Sequence, residues 1–172
     1  MIDEAHAFGV FGNDLQGVCA KENLLDEIDI ITITLGKALA SSGAICISNK
    51  TIIDYLINKA SSFIFSTAIA PINVMWSNFL LEEKFELLQA KKEKLNSLFS
   101  RVHKIYPSVS NSQIIPIILG SATNATNASL ELQQKGYYVL PINPPTVPIG
   151  SSRLRISLTA DIEYDEICNI FG

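Results

Sequence analysis

A run of apolar and β-branched residues that ends at a glycine and a lysine constrains the fold of this 172-residue chain most strongly. Ile28 to Leu35 forms this run, and Ala44 to Ile47 is a second one. Near-continuous apolar strands are typical of α/β proteins, in which helices cover both faces of the sheet. Thr51 to Ala60 then has the spacing of a helix. We therefore predict an α/β fold whose first strands are buried on both faces.

The second part of the chain predicts a long helix that links two lobes. Pro71 suits the first turn of this helix, and Pro107 should end it. Between them, apolar side chains recur at spacings of three and four, which is the pattern of one buried stripe. This stripe consists of Leu95, Leu98, Phe99, Val102 and Tyr106.

A smaller α/β unit is predicted beyond the long helix. It begins with a strand over Ile114 to Leu119 and a helix from about Asn127 to Lys135, which Gly136 closes. Two more strands are expected over Tyr137 to Ile142 and Arg153 to Leu158. A final helix follows Asp161, which could cap it. In the strand from Arg153, side chains of alternate residues share a face, so one face is apolar and the other carries two arginines. The apolar face consists of Leu154, Ile156 and Leu158.

Charge and composition exclude several classes of function. Thirteen Lys and Arg against seventeen Asp and Glu give a net charge of -4, which offers no basic surface for nucleic acid or anionic lipid. The sequence has no apolar run of about 18 residues and no signal-peptide pattern. Its three cysteines are scattered and have no histidines at ligand spacing. We expect a cytoplasmic protein without a metal site.

Asp3, Glu4 and His6 lie at what reads as the carboxyl end of a buried strand. There a carboxylate and an imidazole can face one crevice at the edge of a parallel sheet. The same letters, DEAH, occur in helicases, which need a phosphate-binding GxxxxGK[ST] loop upstream. The Gly-Lys pair of this chain ends at Lys37, lies downstream and is followed by Ala38. The sequence therefore disfavours a helicase.

Two segments carry cationic side chains that are candidates for chemistry, and each segment has an ordinary alternative explanation. Lys37 follows a buried strand among small residues, where burial lowers the pKa of an amine and permits Schiff-base chemistry. Most lysines, however, are solvated loop residues. An arginine on a rigid strand, such as Arg153 or Arg155, can clamp a carboxylate with two hydrogen bonds. Taken alone, this segment is better explained as a surface strand with two ordinary arginines.

Four segments together resemble one family. In chain order they read DEAHAFGVFG, TLGKALASSGA, FSTAIAP and PPTVPIGSSRLRISLTA, and they are similar to the α-oxoamine synthases, pyridoxal 5'-phosphate (PLP)-dependent enzymes of fold type I. The resemblance covers essentially the whole chain but matches only the C-terminal half of a typical member. It implies the C-terminal portion of the large PLP-binding domain with part of a mainly parallel sheet in residues 1–70, a linking helix in residues 71–106, and a small α/β domain in residues 107–172.

The resemblance also implies how the cofactor is held. Lys37 matches the catalytic lysine that forms a Schiff base with PLP and later handles the α-proton of the substrate. Asp3 matches the carboxylate that pairs with the pyridinium nitrogen, and His6 the histidine that contacts the phenolic oxygen. Thr34 matches a threonine on the cofactor phosphate. These four residues are therefore the expected cofactor site.

Further matches imply a substrate site and a dimer. Ser66 and Thr67 match a pair that reaches the cofactor phosphate of the neighbouring subunit, which implies a homodimer. Arg155 matches the arginine that holds the carboxylate of the amino-acid substrate, so Arg153 is expected to be structural. The family condenses an amino acid with an acyl thioester and releases CO2.

Three functions are weighed on this basis. The proline-rich segment and the strand after it look most like the branch that joins a pimeloyl thioester, on CoA or a carrier protein, to L-alanine in biotin biosynthesis. Branches that use glycine or serine share the chemistry. A non-catalytic remnant or interaction module is the third reading. It is open because the residue that stacks on the cofactor ring would precede Met1, and because Asn143 stands where close relatives carry an arginine. We expect such a truncated chain to be inactive or poorly soluble by itself.

Overall fold

The computed structural model describes residues 1–106 and 110–171. It divides into two compact units, Met1–Lys92 and Glu93–Gly172. Both units contain helices and strands, as the predicted α/β class requires. None of the helices in the described part of the chain is long and apolar enough to cross a membrane.

The first unit is built on a three-stranded sheet. Its strands are β1 (Ile2–Asp3), β2 (Ile30–Thr34) and β3 (Ala44–Ser48), in that order. β1 runs parallel to β2, whereas β3 is antiparallel to it. The described sheet therefore contains one parallel and one antiparallel pair.

Burial differs between the two longer strands of this sheet. In β2 the buried Ile31 and Ile33 alternate with half-buried residues, and they pack with Cys19 into a small core. β3 is largely exposed; Ile45 and Ile47 keep 39% and 50% of their surface accessible. The prediction that these strands are buried on both faces is thus wrong. An apolar composition indicates that a strand is suited to burial, but it does not say whether another element covers the strand.

Helices fill the rest of the first unit. They are α1 (Val18–Lys21), a 3-10 turn (Leu25–Glu27), α2 (Lys50–Lys59), α3 (Ser61–Ile64), α4 (Pro71–Glu83) and α5 (Phe85–Ile105), the last of which contains the boundary between the units. The N-cap of α2 is Asn49, whose side chain accepts a hydrogen bond from the Ile52 amide at 3.0 Å. Pro71 occupies the first turn of α4, as predicted.

The predicted single helix from Pro71 to Tyr106 is wrong at one point. Lys84, with φ -126° and ψ 19°, leaves the helical region and separates α4 from α5. Neither glycine nor proline marks this break, so the sequence has no signal for it. The predicted stripe is confirmed for Leu95, Leu98 and Val102, which are buried, whereas Phe99 is half-buried and Tyr106 lies beyond the end of α5. The proposed stop at Pro107 lies outside the described residues.

The second unit is a sheet covered by a helix. Its elements after α5 are β4 (Ile114–Gly120), α6 (Ala122–Gln134), β5 (Pro141–Ile142), β6 (Ser152–Ser157) and α7 (Tyr164–Phe171). The strand order is β4-β6-β5, both pairs are antiparallel, and α6 contacts all three strands. The alternation predicted for β6 is confirmed, because Leu154 and Ile156 are buried whereas Arg155 is exposed.

Three predicted boundaries in this unit are wrong. α6 begins five residues before Asn127 because Ser121 caps it, accepting a hydrogen bond from the Asn124 amide at 3.1 Å. β5 is only two residues long, since the carbonyl of Val139 is bonded to the Ser129 hydroxyl of α6 and not to a strand. α7 starts at Tyr164, so Glu163 and not Asp161 occupies the position just before the helix.

Candidate functional site

Two loops meet at the carboxyl ends of β1 and β2. Because the strands are parallel, with Asp3 opposite Thr32, both chains leave the sheet at the same edge. One loop carries the DEAH residues and the other carries Lys37. They touch directly, since a β-carbon on Gly9 would overlap the β-carbon of Ala38. The structure therefore brings together two motifs that lie more than 30 residues apart in the sequence.

The DEAH residues form a tight turn. The Asp3 carboxylate accepts a hydrogen bond from the Ala5 amide at 2.8 Å, and the Glu4 carbonyl accepts bonds from the amides of Ala7 and Phe8 at 2.9 and 2.8 Å. The side chains of Asp3 and His6 are exposed. This turn thus presents a carboxylate and an imidazole at the edge of the sheet.

Glu4 is the residue of this motif that sequence reasoning left without a role. Its carboxylate, 2% exposed, accepts hydrogen bonds from the amides of Val18 at 3.0 Å and Cys19 at 2.6 Å. These amides belong to the first turn of α1, where backbone N–H groups lack partners within the helix. The alternation of side chains along a strand could have predicted the burial of Glu4. Asp3 and Glu4 point to opposite faces of the sheet, so one of the two side chains must point toward the interior of the unit.

The surroundings of Glu4 are tightly fitted. Gly17 has φ +100°, and a β-carbon there would lie 2.6 Å from Glu4 Oε2. A hydrogen bond to the Glu4 carboxylate, together with burial and the negative charge, raises the pKa of the Cys19 thiol to about 11. Cys19 is therefore a neutral thiol at physiological pH and an unsuitable nucleophile.

Lys37 lies in a closed loop that we call the Lys37 loop, residues 35–43. The Leu35 amide donates to the Gly43 carbonyl at 2.9 Å, and the Ser41 amide donates to the Leu35 carbonyl at 3.0 Å. Leu35 and Leu39 are buried at 2% and 1% exposure, whereas Lys37 is exposed. Buried leucines thus anchor the loop and leave the amine at its surface.

Helix α4 holds the other side of the Lys37 loop. The indole N–H of Trp76 donates to the Leu39 carbonyl at 3.0 Å, and the Ser41 hydroxyl donates to the Asn73 carbonyl at 2.9 Å. A β-carbon on Gly43 would overlap the Ile69 side chain just before α4. Sequence reasoning missed these contacts, because no local pattern pairs a helix with a loop more than 30 residues away.

The predicted phosphate ligands have different surroundings. Thr34 Oγ1, at the end of β2, is buried and has no hydrogen-bond partner within residues 1–106 and 110–171. Ser66 and Thr67 are exposed, and the Ser66 hydroxyl donates to the Phe63 carbonyl at 3.3 Å. They precede Ile69, which packs against the end of the Lys37 loop.

Arg155 belongs to the second unit. It is exposed on β6 opposite Pro116 of β4 and lines a groove of about 690 Å³ whose walls come from the segment before β5, from β6 and from α7. Glu166 adds a carboxylate to this apolar groove. The Nε of Arg153 donates to the Ser151 carbonyl at 2.9 Å.

The residues of the first unit fit PLP. The site offers an exposed primary amine, a carboxylate at the same sheet edge and a buried hydroxyl without a partner, which suit an aldehyde, a pyridinium nitrogen and a phosphate respectively. Clusters of three or more His, Cys, Asp or Glu that could hold a metal are absent from the described residues. All three cysteines are free.

Comparison with known sequences identifies relatives along the whole chain. Residues 1–171 match the family model described as aminotransferase class I and II. A protein from Neisseria meningitidis with the provisional name 8-amino-7-oxononanoate synthase is 45% identical over 171 residues, which are 96% of this chain and 45% of that protein. A protein of the same provisional name from Pasteurella multocida is 43% identical over 172 residues, 96% of this chain and 44% of its own.

Solved structures give the same result. Serine palmitoyltransferase from Sphingomonas wittichii superimposes with a TM-score of 0.87 at 26% identity, covering 98% of this chain and 45% of that one. The 8-amino-7-oxononanoate synthase of Francisella tularensis superimposes with a TM-score of 0.82 at 26% identity, covering 98% and 51%. The chain thus spans about half the length of the proteins it matches. It belongs to the aminotransferase class I and II family of PLP-dependent transferases, and its predicted fold type I and its resemblance to the α-oxoamine synthases are confirmed.

Proposed function

We propose that this chain forms the lysine-bearing part of an α-oxoamine synthase of the 8-amino-7-oxononanoate type. One observation carries the proposal: the Lys37 loop lies against the DEAH turn at the carboxyl edge of β1 and β2, beside the unpartnered hydroxyl of Thr34. Within it, we assign residues 1–70 to the large PLP-binding domain, residues 71–106 to the linking segment and residues 107–172 to the small domain.

The residues of the first unit would bind and orient the cofactor. When bound, PLP supplies an electron sink for a carbanion at the α-carbon of the amino acid. Lys37 Nζ would hold the cofactor covalently and then accept the α-proton. The Asp3 carboxylate would keep the ring nitrogen protonated through its negative charge, and the His6 imidazole would contact the phenolic oxygen. Thr34, with Ser66 and Thr67 of a second subunit, would bind the phosphate.

The substrates would be an amino acid and an acyl thioester. Arg155 is exposed on a strand whose apolar face is buried, and a guanidinium can bind the carboxylate of an amino acid with two parallel hydrogen bonds. The names of relatives at 43–45% identity support L-alanine and a pimeloyl thioester, and thus a step of biotin biosynthesis. We place the activity in a cytoplasmic homodimer.

A second α-oxoamine synthase activity has one specific observation in its favour. The serine palmitoyltransferase structure superimposes with a higher TM-score than the 8-amino-7-oxononanoate synthase structure, 0.87 against 0.82. Fold similarity does not select a substrate, because related sites on one fold accept different amino acids. The two activities are distinguished by measuring the free thiol released from pimeloyl or palmitoyl thioester in the presence of alanine, glycine or serine. Release with the pimeloyl thioester and alanine indicates the first activity, and release with the palmitoyl thioester and serine indicates the second.

The proposal is tested first by mapping a cofactor adduct. Purified chain is titrated with PLP, reduced with borohydride and digested, and the pyridoxyl group is located by mass spectrometry. We expect stoichiometric labelling of Lys37 and its complete loss in Lys37→Ala, because this amine lies on the loop that packs against the DEAH turn.

The matched control is Lys59→Ala, since Lys59 is an exposed lysine at the end of α2. This variant should keep the label on Lys37. Labelling spread evenly over surface lysines would contradict the proposal and favour the non-catalytic reading. Stoichiometric labelling without thiol release would place the cofactor site in this chain and the missing acyl-transfer groups elsewhere.

A further inference from the structure

We propose that Trp76 of α4 is a positioning residue for Lys37 and acts through the carbonyl of Leu39. The inference rests on the proposed function, because it concerns how well the Lys37 amine is placed to react with PLP. The indole N–H donates to this carbonyl at 3.0 Å, two residues beyond Lys37. Trp76 is the single tryptophan of the chain.

The Lys37 loop contains a strained residue next to this hydrogen bond. Ala40 has φ +46°, in the left-handed region that residues with a β-carbon seldom adopt. Its amide donates to the Lys37 carbonyl at 3.2 Å, so the conformation of Ala40 is coupled directly to the backbone of Lys37. Strained residues persist only where the surrounding structure holds them, and they cluster at functional sites.

Trp76 restrains the peptide group that precedes Ala40. A hydrogen bond to the Leu39 carbonyl fixes the orientation of the 39–40 peptide plane and thereby the φ angle of Ala40. The donor is on a rigid element, because Trp76 lies in the middle of α4 and its ring also contacts Phe79, with ring centroids 5.9 Å apart. Leu39 itself is 1% exposed, so the carbonyl that accepts this bond belongs to a buried residue, although Trp76 is 44% exposed.

A second hydrogen bond from the loop to α4 offers a matched pair of variants. The hydroxyls of Ser41 and Ser77 both donate to the Asn73 carbonyl, at 2.9 and 2.8 Å. Ser41 belongs to the Lys37 loop, whereas Ser77 belongs to α4. Loss of the Ser41 hydroxyl should therefore disturb Lys37, and loss of the Ser77 hydroxyl should not.

The experiment compares two lysines within the same molecules. Chains are exposed briefly to PLP, reduced with borohydride, and the ratio of pyridoxyl label on Lys37 to that on Lys59 is measured below the unfolding temperature. We expect a strong preference for Lys37 in the unmodified chain. Trp76→Phe keeps an aromatic ring without the N–H and should lower the ratio by about 3- to 10-fold, the factor that one net hydrogen bond represents.

The outcomes separate this inference from the proposed function. A preference for Lys37 that is unchanged in folded Trp76→Phe would overturn the positioning role of Trp76 alone. No preference in the unmodified chain would overturn the proposed function and the positioning role together. If Trp76→Phe does not fold, a reduced ratio in Ser41→Ala supports the role of α4, and equal ratios in Ser41→Ala and Ser77→Ala refute it. A structural role alone would lower the unfolding midpoint without changing the ratio.

Discussion

The two units use their sheets in opposite ways. In the second unit, β6 lies between two antiparallel partners and alternates buried Leu154 and Ile156 with exposed residues, under the cover of α6. In the first unit, β3 exposes most of its side chains, while β2 carries a core of only a few residues. The sheet of the second unit thus contributes mainly buried packing. The sheet of the first unit contributes little packing, and its loops carry the candidate site.

Apolar exposure shows the same contrast. Large apolar side chains stand exposed along residues 63–79 of the first unit, including Phe65 at 86%, Ile72 at 67% and Met75 at 66%. A large exposed apolar surface marks an interaction site in many proteins. The unit that holds Lys37 therefore has more surface to bury than the unit that holds Arg155, which agrees with our proposal of a homodimer.

The largest expected effect tests where the packing energy lies. Ile156→Ala, at a side chain that is 4% exposed in β6, should lower the free energy of unfolding by about 2–5 kcal/mol, since it removes buried methyl groups and leaves a cavity. Denaturant unfolding followed by circular dichroism measures this loss. Ile47→Ala in the exposed β3 is the matched control and should change stability by about 0.5 kcal/mol or less. If Ile156→Ala and Ile47→Ala lower the free energy of unfolding equally, the two sheets do not differ in how much packing they contribute.

A smaller effect is expected at the buried carboxylate of the first unit. Glu4→Gln leaves one of the two amides of α1 without its acceptor and should cost about 1–3 kcal/mol. It should also lower the pKa of the Cys19 thiol from about 11 toward its ordinary 9.0, because the raised value is caused mainly by the hydrogen bond to this carboxylate. The rate of alkylation of Cys19 as a function of pH, located by mass spectrometry, reports the change.

The sign of the pH dependence follows from this raised pKa. The neutral thiol contributes stability that is fully present below pH 9.0 and is lost as the pH rises through about 11. In Glu4→Gln, the free energy of unfolding should therefore fall less steeply between pH 9.0 and about pH 11. Glu22→Gln, at an exposed carboxylate 3.6 Å from Lys21, is the control and should leave both the window and the thiol unchanged. An unaltered pKa of Cys19 in Glu4→Gln would contradict the assigned cause.

The smallest expected effects compare two helix caps. Ser121→Ala should cost about 1 kcal/mol, because α6 is packed on its sheet and the lost bond to the Asn124 amide is felt globally. Asn49→Ala removes the equivalent bond from α2, which has no buried residue. There we expect faster amide exchange in the first turn of α2 and a smaller change in global stability. Larger global destabilisation by Asn49→Ala would show that α2 is integral to the first unit.

Much of the fold could be predicted from the spacing of apolar residues and from single residues, such as Pro71, that mark where a helix begins. The alternation in β6, the buried stripe of α5 and the start of α4 at Pro71 are confirmed because each depends on local spacing. The break at Lys84 and the short β5 could not be predicted. The first carries no glycine or proline, and the second depends on the Ser129 hydroxyl bonding the Val139 carbonyl from another element.

The sequence by itself determined the α/β class and the family, and it singles out Lys37 as the amine that we propose to react with PLP, because residue types in a fixed order carry that information. Only the tertiary structure decided what surrounds the amine. The contact of Gly9 with Ala38, the buried bonds of Glu4 to α1 and the bond from Trp76 to Leu39 all join residues distant in sequence. Such contacts depend on how elements pack, and packing is set by shape and burial over the whole unit and not by any local pattern.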